Sequence, residues 1–164
     1  MLSPIQKRYL VVYFLIPSLL INIAINLFFG WLVFPSGQVP LWGEPSVAGD
    51  TLVSTFLTAL IMGLIMTFFI NRDVRAGRIH HIARASQPAV LRWWPHGNVA
   101  SSLTLAVLFS LTIGPATVLL THLFGPQTYS WTAAVTYKTV YAGAVGLAMA
   151  PLLVVLALRE QRFN

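Results

Sequence analysis

Apolar residues in this chain come in long runs broken by short polar segments, and four of these runs are long enough to be membrane spans. The first covers roughly residues 9–34 and follows Lys7 and Arg8. About 20 helical residues cross the hydrocarbon core, so this run must tilt or project. A basic start before an apolar run also opens a signal peptide. Here the run is too long and lacks an A-x-A site, so an uncleaved first span is expected. The stretch PSGQVPLWGEPSVAG, residues 35–49, has three prolines and three glycines and reads as a loop. The second span covers about 50–70, and the longest polar interruption, 71–98, follows it. Span three is about 99–124, with a Gly114-Pro115 step that should kink it; neighbouring helices can re-satisfy the backbone groups that a membrane proline frees. A short GPQTYSW connection leads to span four, about 138–158. The pattern predicts an all-α membrane protein, a single four-transmembrane-helix bundle over residues 1–164.

Composition agrees with this class. The chain has 164 residues, 57% hydrophobic and 9% charged, against about 25% charged in soluble domains. It contains no cysteine, which excludes disulfides, thiolate metal sites and dithiol redox chemistry. The formal charge of +6 does not make nucleic acid a partner, because the basic residues cluster at membrane edges, where anionic lipid is nearer.

Charge also sets the expected orientation. Lys7, Arg8, the loop residues Arg72, Arg75, Arg78, Arg84 and Arg92, and the terminal Arg159 and Arg162 all fall on one side. Only Lys138 does not. The positive-inside rule then places both termini and the loop in the cytoplasm, in the inner membrane of a cell. Trp31, Trp42 and Trp131 would sit at the outer interface, and Tyr9, Trp93 and Trp94 at the inner one. Arg72, Arg75 and Arg78 recur every three residues and would share one face if span two continued as a helix. The five loop arginines are the expected contact with anionic headgroups or with an acidic partner.

The two hairpins resemble one another in outline, as a duplication would make them, although unrelated apolar helices share such an outline. Asp50-Thr51 opens span two and Lys138-Thr139 takes the matching place in span four. Asp50 precedes Arg72 by 22 residues and Lys138 precedes Arg159 by 21. Both distances convert to about 32 Å of helix, so the two residues should lie at equal depth, at the outer edge of the core. They are expected to form an ion pair between spans two and four, or to flank the mouth of a site.

Small and polar residues recur at four-residue spacing in every span: Ser18, Asn22, Asn26, Gly30; Thr51, Thr55, Ala59, Gly63; Ser102, Ala106, Ser110, Gly114; Ala142, Gly146, Ala150. Residues four apart share a helical face, and small faces let membrane helices approach closely. Asn22 and Asn26 cannot face lipid without leaving amide donors unsatisfied at a cost of several kcal/mol. A polar site within the bundle would be lined by Asn22, Asn26, Thr55, Thr58 and Tyr141, below Asp50 and Lys138.

Other chemistry finds no support. No carboxylate lies in the middle of a span, so a proton-coupled mechanism has no evident carrier. His122 alone lies near a span, which does not supply haem ligands. The adjacent pair His80-His81, with His96, lacks the carboxylates or cysteines that would complete a metal shell. No nucleophile–base constellation or phosphate-cradling glycine loop is present. No cofactor and no enzymatic activity are expected.

Four stretches carry a resemblance: VPLWG at 39–43, GDTLVSTF at 49–56, RDVRAGRI at 72–79 and YKTVYAG at 137–143. In these the chain resembles small bacterial four-helix inner-membrane proteins, some of them labelled permeases. That resemblance supplies no substrate or catalytic residue. Two functions are therefore expected: an accessory or scaffold subunit working through its helix faces and basic loop, or a small oligomeric permease or channel for a small solute. A hydrated pocket from Asn22 to Asp50 would favour the second, and a filled bundle the first.

Overall fold

A computed structural model describes residues 8–9, 11–80 and 93–158. Arg84 and Arg92 of the basic loop, with Lys7, His81, Arg159 and Arg162, lie outside the described residues. Among the described residues there are four long helices: α1 (Val11–Val33), α2 (Val47–Arg75), α3 (Asn98–Phe124) and α4 (Trp131–Leu158). Each is long and apolar enough to cross a membrane, which points to a multi-pass membrane protein. The first five residues of α1, Val11–Leu15, are π-helical. Large apolar side chains such as Leu20, Phe28, Leu111, Leu119 and Val140 face outward, as a lipid solvent allows. Exposed Trp31 and Trp42 stand near one end of the bundle and exposed Trp93 near the other.

Helix boundaries have local causes. Ser46 caps α2, its Oγ accepting from Gly49 N at 3.1 Å, an interaction typically worth about 1 kcal/mol. Asp50 sits in the first turn of α2, and Arg72 and Arg75 in its last, each complementing the helix dipole. At the far end Gly77, at φ +71°, turns the chain so that Arg78 N reaches back to the Asp73 carbonyl. Pro115 and Pro151 are both accommodated within continuous helices.

Two short strands were not foreseen. β1 (Gln38–Pro40) and β2 (Thr128–Ser130) pair antiparallel, with Val39 opposite Tyr129. Leu41 N to Gln127 O and Trp131 N to Gly37 O extend the ladder. Val39, Leu41, Phe34, Val47 and Tyr129 are buried beneath this ribbon, which ties the two interhelical connections together.

The hairpins are splayed and interlocked. α2 packs along both α3 and α4, and α4 packs along α1, whereas the backbones of α1 and α2 hardly approach each other. Exchanging the two hairpins turns the α1–α4 contact into the α3–α2 contact and β1 into β2. The predicted stripes face these contacts: Asn22, Asn26 and Gly30 are buried on α1, as are Thr51, Thr55, Ala59 and Gly63 on α2. Ser102, Ala106, Gly114, Ala142, Gly146 and Ala150 are likewise buried.

Two details correct the sequence reading. α2 begins at Val47 and α4 at Trp131, so Asp50 lies one turn into its helix and Lys138 two turns into its own. α2 ends at Arg75, so Arg78 does not share a helix face with Arg72 and Arg75. Asp73, near the end of α2, is a buried residue.

Candidate functional site

The gap between α1 and α2 is a cleft of about 240 Å³ that opens sideways from the bundle. Its lining runs from Ser18 to Val33 on α1 and from Asp50 to Met66 on α2, about 22–24 Å of helix. That exceeds one leaflet's share of a hydrocarbon core about 30 Å thick. Its lips are apolar (Ile21, Ile25, Phe29, Val53, Leu57, Ile61), and polar side chains form its back wall.

At the ribbon end of this wall Asp50, Ser54 and Lys138 form a triad. Lys138 Nζ donates to Asp50 Oδ1 and, at 3.0 Å, to Ser54 Oγ. Ser54 Oγ in turn donates to Asp50 Oδ2 at 3.3 Å, and the ammonium lies 5.9 Å from the centre of the Phe34 ring. Only 4% of the Lys138 side chain is exposed and 13% of that of Asp50, so the pair sits where desolvation matters. Gly30 makes room for it: a Cβ there would meet Lys138 Cδ at 3.1 Å.

Four residues deeper on both helices, about 6 Å, lie Asn26 and Thr58. The two asparagines form a chain of fixed polarity. Asn22 Nδ2 donates to the Ala142 carbonyl at 2.7 Å, so its Oδ1 faces the other way. Asn26 Nδ2 donates to that Oδ1 at 2.8 Å and to the Asn22 carbonyl at 2.9 Å. Reversing either amide would set oxygen against oxygen, so the hydrogen-bond network itself assigns the orientation. Asn26 lines the cleft and is only 6% exposed, and its Oδ1 is left with no hydrogen bond among the described residues. The Thr58 hydroxyl, on a residue 7% exposed, likewise makes no hydrogen bond among the described residues. Gly146 lets Asn22 reach α4, since a Cβ there would lie 3.0 Å from Asn22 Nδ2.

The predicted polar site is thus split. Asn22, Asn26 and Thr58 line the cleft beneath Asp50 and Lys138, but Thr55 and Tyr141 do not. Their hydroxyls bond each other at 2.7 Å. Tyr141 also stacks on Tyr137 (6.1 Å, 3°), whose hydroxyl meets Thr121 of α3 at 3.0 Å. These tyrosines occupy the α3–α4 side. Ser54 was missed, although its place four residues after Asp50 is the signal that would have found it.

At the opposite end a second cluster joins Tyr9, which precedes α1, to the end of α2. Tyr9 donates to Asp73 Oδ2 at 2.7 Å and Arg78 to Asp73 Oδ1 at 3.0 Å, with Arg72 3.6 Å away and its guanidinium 5.0 Å from the centre of the Phe69 ring. The Asp73 hydrogen bond pushes the Tyr9 phenol above its usual value of 10.0. The bond's contribution is therefore complete below that pH and is lost as pH rises past the shifted value. Asp73→Ala is expected to cost about 1–3 kcal/mol in unfolding free energy, because it frees a phenol bonded to a charged acceptor. Arg72→Ala should cost under about 1 kcal/mol, since an exposed ion pair contributes little. Among the described residues no group of three His, Asp or Glu could hold a metal ion; His81 lies outside them.

Comparison with protein-family models, with curated proteins and with solved structures gave no match. Residue roles here rest on the geometry alone.

Proposed function

We propose that this is a non-catalytic membrane protein that works by binding, with the α1–α2 cleft as its site. Its occupant enters sideways from the bilayer and not along a pore through the bundle. The observation that carries this reading is a pair of polar atoms without hydrogen bonds among the described residues, Asn26 Oδ1 and the Thr58 hydroxyl, on largely buried residues that line a groove with apolar lips. An acceptor that faces hydrocarbon without a partner costs about 1–3 kcal/mol, which a bound donor would recover. The site is of small-molecule size, which supports the permease-like alternative over the accessory subunit. The walls are predominantly apolar, which argues against a channel for a hydrated solute.

In this reading both termini and the basic loop are cytoplasmic, by the excess of Lys and Arg at that end. The triad then lies toward the outer leaflet. The loop arginines Arg72, Arg75, Arg78, Arg84 and Arg92 hold anionic headgroups at the inner surface. The exchange relation between the hairpins supports a repeat about an axis along the membrane normal, as two strands lying in the membrane plane would then pair antiparallel.

The test is intact-mass measurement of the native protein released from gentle detergent, beside a Leu57→Trp variant that fills the cleft from its lip. One lipophilic small molecule per chain, lost from the variant, is the expected result. A stoichiometric second polypeptide in its place, released by Ala at Arg72, Arg75 and Arg78, would return the function to an accessory subunit.

A further inference from the structure

Resting on the binding reading of this cleft, we infer its ligand class: a single-chain amphiphile whose head is uncharged and donates a hydrogen bond, such as a long-chain alcohol or primary amide. The polarity of the asparagine chain requires the donor. With Asn22 Nδ2 fixed on the Ala142 carbonyl and both Asn26 N–H contacts directed at Asn22, the atom Asn26 offers the cleft is an acceptor. The Thr58 hydroxyl, at the same level, accepts or donates as the ligand needs.

Charge balance excludes an ionic head. The two charges in the lining, Asp50 and Lys138, are bonded to each other and to Ser54, so the site presents no net charge for a phosphate, carboxylate or ammonium. A charged head would have to break that triad and leave one of its members buried without a counter-ion. Shape sets the rest of the molecule. The groove is narrow for its length, about 22–24 Å for about 240 Å³, and beyond Asn22 its sides are Ile21, Ile61 and Ile65 with Met62 and Met66 at its inner end. One apolar chain fits there. A head seated between the triad and Asn26 would direct that chain inward from the ribbon end.

Competition against a photoreactive diazirine analogue of 1-hexadecanol, with the purified wild-type protein in detergent and labelled peptides mapped by mass spectrometry, tests the inference. The competitors are 1-hexadecanol, its methyl ether, palmitate and hexadecylammonium. Saturable labelling on α1 and α2 is expected, with the alcohol competing about five- to tenfold better than the ether, the usual effect of one hydrogen bond. Both charged competitors should be weaker still. In Asn26→Leu the alcohol and ether should become equal. If labelling is saturable but the ether matches the alcohol in the wild type, the donor assignment is overturned and the cleft stands. If a charged competitor is the strongest, the neutrality argument fails. If no saturable labelling falls on α1 or α2, the cleft is not a ligand site, and the binding reading fails with it.

Discussion

Asp50→Ala is expected to destabilise the protein by about 3–5 kcal/mol, because it leaves the Lys138 ammonium buried without its counter-ion. The reverse change should cost less. Lys138→Ala leaves Asp50 with the Ser54 hydroxyl as donor and a place in the first turn of α2, where the helix dipole favours a carboxylate. Asp50 is also the more exposed partner, so about 1–3 kcal/mol is expected there. This order of effects distinguishes a desolvated pair from a wet one, in which either loss would cost about 0–1 kcal/mol. The double variant Asp50→Asn, Lys138→Met should recover most of the Asp50→Ala deficit, since a neutral replacement of similar volume removes the uncompensated charge. Reversible unfolding of the native chain and the three variants in mixed micelles measures each of these differences. Equal, small losses in both single variants would mean that water reaches the triad, and the cleft would then be hydrated at its mouth.

The four helices were legible because lipid imposes a strict rule: a chain crossing hydrocarbon must satisfy its own backbone, and only long apolar helical runs do so. Residue counting was enough to bring Asp50 and Lys138 to one depth, because helical rise is constant. It did not see that α4 begins at Trp131, two turns before Lys138. Four-residue spacing identified which faces turn inward, since an asparagine or a run of small residues is a poor lipid contact. It did not say against which helix. Thr55 and Tyr141 share the polar character of Asn26 and Thr58, yet they bond each other on another face of α2.

What stayed hidden was absence of contact. In a soluble protein an unpartnered apolar groove is exceptional, but in a membrane protein Ile25 and Leu57 are equally at home against lipid or a helix. The sequence therefore carries no mark of the open side. The ribbon was hidden for a different reason: three-residue strands are too short to show alternation, and β1 ends in proline. Arg78 was misplaced because a three-residue period looks helical until Gly77 turns the chain.

Gly63→Ala is the second substitution with a large expected effect, and it acts on the α2–α3 contact away from the cleft. A Cβ at residue 63 would stand 2.8 Å from both Cβ and Oγ of Ser102 and 3.3 Å from its Cα. The obstruction begins at the helix backbone, so no rotamer change removes it, and α2 and α3 must separate. Overpacking of this kind costs about 1–3 kcal/mol, more than the helix propensity gained on replacing glycine. Gly146→Ala meets mainly the ends of flexible side chains, Asn22 Nδ2 at 3.0 Å and Met62 Sδ at 3.3 Å. It should therefore be milder in stability while disturbing the asparagine chain, and with it occupancy of the cleft. Ser102 gives the control. Its Oγ is buried without a hydrogen bond, so Ser102→Ala alone should be neutral or stabilising. Ser102→Gly beside Gly63→Ala should restore part of the loss but not all, because the 3.3 Å approach to Cα remains and glycine within a helix costs about 1 kcal/mol. Unfolding midpoints of the single and double variants decide it. If Gly63→Ala proves as stable as the native chain, α2 and α3 do not cross closely at Gly63 and Ser102, and the packing of one hairpin on the other would have to be redrawn.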